Sequence, residues 1–209
     1  MRIELLYLIS FGIIWTLYTR YSKYVGLYLG VVAFFIVAIL PAINDYKTPF
    51  ILKVHLIMFT AACVFIGILY NCTRDLINKV LTWLVRLNIG ILFFAIDDKW
   101  IKGLLLFSSI TTPYMLASDA GIILRSSLIH KDLWVVLTCM ILLFYYTSDI
   151  DFVTNTSLYM VLLAIIIPSL LHFTNNKYLE SRIIMLCLCI VFDLFNHNKN
   201  VLKTITDNM

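Results

Sequence analysis

Charge is scarce in this chain: Asp, Glu, Lys and Arg make up 13% of its 209 residues, against 62% hydrophobic. The mean hydropathy is +0.94, whereas soluble domains carry about 25% charged residues. That imbalance excludes a disordered tail and a secreted disulfide scaffold. The sixteen Lys and Arg are scattered, and the net charge is only +4. No polybasic run is available to meet phosphates, so nucleic acid is not an expected partner.

Glycine and proline are also sparse, at seven and four residues. Transporter helices usually need small residues where backbones approach or helices break, and most segments here offer few. The five cysteines are an odd number. Cys63, Cys139, Cys187 and Cys189 sit inside apolar runs and read as small buried side chains. Cys187 and Cys189 form a C-x-C pair, but no His or Cys cluster accompanies them at a zinc spacing.

Catalytic signatures are absent too. The chain contains no G-x-S-x-G, no H-E-x-x-H, no phosphate-binding glycine loop and no potassium-filter sequence. No nucleophile can be paired with a base from sequence. No catalytic residue, metal ligand or cofactor is therefore assigned, and the reading leans away from an enzyme.

What the chain does have is long apolar runs. A hydrocarbon core about 30 Å thick takes roughly 20 residues of helix. Segments 25–43, 50–70, 76–96 and 101–124 reach that length, while 3–18, 133–147, 158–173 and 183–195 are shorter. The patterning predicts an all-α, polytopic transmembrane bundle of about eight spans in one integral membrane domain, 1–209, with no soluble domain. The expected surroundings are a lipid bilayer, with a homo-oligomer or a larger membrane complex as protein partner.

Ionisable groups at bilayer depth are costly, about 2.5 kcal/mol or more on insertion scales, and ask for a reason. Arg86 is the clearest case, ten residues from either end of segment 76–96. Asp75, Asn78, Lys79, Thr82 and Arg86 recur at spacings of three and four, which aligns them as one polar stripe on a helix. The following segment, 101–124, concentrates small and hydroxyl residues, with Ser108/Thr112 and Ala117/Gly121 each four apart. Pro113 removes a backbone donor and orphans the carbonyl of Ser109, so a kink partly satisfied by hydroxyls is expected there.

Counting back from the Asp97-Asp98 turn at about 1.5 Å per residue sets Arg86 level with Ser108 to Thr112 on the returning helix. Lys79, Thr82, Arg86, Ser109, Thr112 and Asp119 are accordingly the candidate binding or permeation residues. Asp193, beside a polar flank, reads as a carboxylate snorkelling at a helix end. His130 and His172 read as hydrogen-bonded structural residues. The leading expectation is a small-solute or ion conduit between the fourth and fifth spans. The alternative is a non-catalytic structural or assembly component of a membrane complex or viral envelope, and a membrane-bound enzyme comes third.

Overall fold

A computed structural model describes residues 4–21, 57, 60, 61, 64, 75–94, 96–118, 121–148, 158–189, 191 and 192. Six α-helices lie among the described residues: α1 (residues 4–21), α2 (Asp75–Gly90), α3 (Lys99–Ile110), α4 (Lys131–Ser148), α5 (Leu158–Asn175) and α6 (residues 178–189). Strands β1 (Tyr114–Ser118) and β2 (Gly121–Arg125) form an antiparallel hairpin between α3 and α4.

Local signals account for most boundaries. Asp98 caps α3 by accepting from the backbone N–H groups of Trp100 and Ile101, at 2.8 and 2.9 Å, which satisfies two of the donors a helix start leaves unpaired. The α5–α6 corner turns at Asn176, whose φ of 54° is a conformation Asn tolerates better than most residues. Pro168 lies inside α5 and cannot donate to the carbonyl of Ala164. Arg182 of α6 donates to that same carbonyl instead.

The fold corrects the eight-span, all-α reading. Segment 101–124, expected as one continuous span, leaves the helix at Ile110 and continues as the hairpin. Pro113 terminates α3 where a kink was expected. After it, Tyr114 to Ser118 and Ile122 to Arg125 alternate between buried and more open positions, the period of strands. Ala117 and Gly121 are not one helical turn apart on a packing face. Ala117 instead pairs across the hairpin with Ile122, and Gly121 with Ser118.

Segment 76–96 corresponds, short of its last two residues, to a stretch, Asp75–Phe94, whose last turn tightens into a 3-10 helix over Ile91–Phe94. Among the described residues, this is the one helix long and apolar enough to cross a membrane, at 20 residues with a hydropathy of 1.5. Tyr159–Asn175 is apolar but shorter. Six described helices with one of spanning length do not make the multi-pass transporter that hydropathy suggested. Segment 25–43 lies outside the described residues, as does most of 50–70.

The core is built where these elements converge. Leu81, Val85 and Ile89, four residues apart, form the inward ridge of α2. They join Met115, Ile122 and Leu124 of the hairpin, Trp134 of α4, Ile165 of α5 and Met185 of α6. Tyr7 of α1 reaches the same centre, donating to the Met185 carbonyl at 3.1 Å and meeting Phe192 edge to face. The two ends of the described chain are thereby packed together.

Candidate functional site

An isolated two-stranded hairpin has two open edges, each with N–H and C=O groups that need partners once buried. In this protein both edges are met by side chains from helices. On the β1 side, Met115 N–H donates to Thr82 Oγ1 and Ala117 N–H to Asn78 Oδ1, both at 3.0 Å. Asn78 and Thr82 are one helical turn apart, and Met115 and Ala117 are two strand residues apart. Those two repeats bring two acceptors level with two donors.

On the β2 side, Ile122 N–H donates to Glu180 Oε1 at 2.7 Å. Glu180 is completely buried in α6. The Lys177 ammonium approaches the same oxygen at 3.6 Å, and the Tyr18 hydroxyl lies 3.5 Å from it. Gly121 permits this approach. Its φ is +116°, and an added Cβ would collide with Glu180 Oε1 and Lys177 Nζ. Burial pushes the Glu180 carboxyl above its ordinary range, opposed by the Ile122 N–H and the Lys177 charge. Its second oxygen, Oε2, is buried without a hydrogen-bond partner.

The hydroxyl band of the sequence is consumed at the end of α3. Thr112 Oγ1 donates to the Ser109 carbonyl at 2.8 Å and to that of Ser108 at 3.1 Å. Thr111 Oγ1 donates to Phe107 O at 2.8 Å. Trp134 Nε1 donates to Ser108 O at 2.8 Å, and Ser127 Oγ reaches the carbonyls of Thr111 and Thr112, each at 3.1 Å. A buried helix end thus has its carbonyls satisfied by side chains. Ser108 and Thr138 hydroxyls close the set at 2.9 Å.

The remaining candidates are dispersed. Ser109 Oγ donates at 3.0 Å to the backbone carbonyl of Arg86, so it is Arg86's main chain that Ser109 meets. The guanidinium instead lies over the Trp83 ring, 5.0 Å from its centroid, and its Nε is buried without a partner. Lys79 is exposed on α2. Asp119 lies outside the described residues, as does Asp193. Of the six candidates, Thr82 alone contacts the hairpin edge. Asn78 belongs to the stripe from which the candidates were drawn and supplies the second acceptor.

Glu180 and Gly121 carry the opposite edge, and neither stands out in the sequence. The i, i+3 spacing of Lys177 and Glu180 was the visible clue to a charge pair. His172, almost fully buried, bonds Asp132 through Nε2 at 2.8 Å, and His130 approaches the other Asp132 oxygen at 3.5 Å. The His172 bond holds the Asp132 carboxyl below its usual range. Among the described residues, no three His, Cys, Asp or Glu side chains are placed to hold a metal ion.

Comparison of the chain with protein families, curated proteins and solved structures finds no match. Its function is therefore argued from its own geometry.

Proposed function

We propose that this protein is a non-catalytic assembly component of a membrane complex, with Asp75–Phe94 crossing the bilayer. The observation that carries the reading is the orientation of α2. Its polar residues Asn78 and Thr82 turn inward to the hairpin. Its outward side carries Leu76, Val80, Trp83 and Leu87, large apolar residues all 41% or more exposed. Those four recur at spacings of four, three and four, a continuous stripe along one helix face. A helix in water has the opposite arrangement.

Non-helical backbone within a membrane is tolerated only where protein covers it. The clamp on both hairpin edges supplies that cover. Hydroxyls that could line a polar path are bonded to carbonyls and to the hairpin, which supports a structural role. The second outward stripe, Leu133, Val136, Met140 and Phe144 of α4, offers an apolar surface to a second copy or another subunit.

Two measurements test the proposal. In alkaline carbonate the protein is expected to stay with the membrane pellet. After mild detergent extraction it is expected to migrate well above its 24.2 kDa chain mass, allowing for bound detergent. Release into the carbonate supernatant would sink the membrane placement, and a monodisperse monomer would sink the assembly role.

A further inference from the structure

A cavity of about 70 Å³ lies in the core between α2, α4 and α6, with Val85, Asn88, Ile89, Trp134, Thr138 and Leu186 in its walls. The space is about half of the ~150 Å³ that takes up benzene in an apolar core, so it suits a molecule of about three or four non-hydrogen atoms.

Asn88 sets the chemistry. Its Nδ2 donates to the Leu84 carbonyl at 3.0 Å and to Thr60 Oγ1 at 2.8 Å. A carbonyl can only accept, so the amide is held with its nitrogen on that side and its oxygen on the other. That oxygen, Oδ1, is buried without a hydrogen-bond partner. The polar wall groups of α4 are already engaged, Thr138 with the Ser108 hydroxyl and Trp134 Nε1 with the Ser108 carbonyl. An orphaned acceptor among apolar walls carries a desolvation penalty that a donor in reach relieves.

We propose that this cavity is a binding site for a short-chain primary alcohol, its hydroxyl donating to Asn88 Oδ1 and its alkyl chain against Val85, Ile89 and Leu186. A carboxylate has no proton to give and would set oxygen against oxygen. An ammonium would bring a charge into an apolar chamber whose wall also holds the Arg182 guanidinium. A neutral hydroxyl supplies the donor without that cost, and the alkyl chain fills space that a single water would leave empty. Binding of so few atoms is expected in the millimolar range.

The test uses the full chain in lipid nanodiscs, because detergent tails could compete for the chamber, with protein-free nanodiscs giving the lipid background. Saturation-transfer NMR is run with 1-propanol and with ethyl methyl ether, an isomer of the same atoms that has no O–H donor. The alcohol is expected to give a saturable signal at least about five times that of the ether, the worth of one hydrogen bond. Asn88→Leu is expected to bring the two ligands level. Val85→Phe, which fills the chamber and leaves Asn88 in place, is expected to abolish binding, and Leu186→Phe fills it from a less tightly packed wall position on α6. The comparison of alcohol with ether on the wild type needs no variant to fold. Equal signals from the two ligands, no saturable signal above the lipid background, a preference for the alcohol kept by folded Asn88→Leu, or full binding by a folded filling variant would each overturn the assignment.

Discussion

At the scale of single residues, Gly121 is the position with least freedom. Its positive φ is already costly for any side chain, and a methyl there would strike the Glu180 carboxylate and the Lys177 ammonium. Strain of this kind costs about 1–3 kcal/mol before the clash is counted. Gly121→Ala is therefore expected to lower the unfolding midpoint clearly, with at least about 2 kcal/mol of destabilisation in chemical denaturation. An unchanged midpoint would mean that the Glu180 clamp is not formed.

Two carboxyls give stability opposite pH dependences. Asp132 is held below its unfolded value, chiefly by the His172 hydrogen bond. Its contribution is complete above the unfolded pKa of about 3.9 and is lost as pH falls through the lower folded value. Glu180 is raised by burial. Its contribution is complete below the unfolded pKa of about 4.3 and is lost as pH rises through the higher folded value. Thermal unfolding measured from pH 3 to 8 is expected to show Asp132→Asn flattening the acid limb. Glu180→Gln, which keeps an acceptor for Ile122 N–H, is expected to flatten the other limb. Coincident curves for wild type and either variant would remove that residue from the account.

At the scale of elements, the decisive unit is the hairpin with its two side-chain edges. Thr82→Val keeps the shape and removes the acceptor of Met115 N–H. An orphaned buried donor costs about 1–3 kcal/mol. Asn78→Leu should cost a similar amount at Ala117. The two acceptors serve one strand edge, so the double variant is expected to lose less than the sum of the singles. Denaturant unfolding of the four proteins reads this directly, and strict additivity would show two independent contacts.

The sequence made part of this legible. Spacings of three and four identified the stripe containing Asn78 and Thr82 as a face that must meet protein or water, and Pro113 marked the place where α3 would be disturbed. The partner was hidden because apolar stretches such as YMLAS and GIILR fit helix and strand alike, and here they follow each other closely enough to be counted as one span. Apolar runs of this length do not reveal their period, and tertiary acceptors decide the outcome. Glu180 was unreadable for a similar reason. A lone acid in a polar connection gives no sign that a strand edge will come to it.

At the scale of the whole molecule, the exterior argues for lipid or protein against it. Beyond α2 and α4, α5 shows Tyr159, Ile166, Leu170 and Phe173 outward, and α1 shows Leu6, Ile9, Ile13 and Leu17. Each set follows one helix face, so the apolar exposure is organised into stripes. Contiguous apolar area of this kind marks an interaction surface. The proposed crossing of Asp75–Phe94 makes this quantitative for one stripe.

Leu87 lies outward near the middle of that segment and is about half exposed. An arginine at the centre of a spanning helix costs about 2.5–3.5 kcal/mol of insertion free energy. The segment contains Arg86 already, and that side chain is only partly exposed, with its Nε buried, whereas an outward guanidinium at position 87 would face acyl chains. In a glycosylation-reporter insertion assay, Leu87→Arg is thus expected to reduce the inserted fraction severalfold. Asp97→Arg, in the connection beyond the segment, is expected to leave it nearly unchanged. Equal insertion of both variants would place the Leu87 face against water or protein, and the outward stripe of α2 would then be a subunit contact, with no lipid on it.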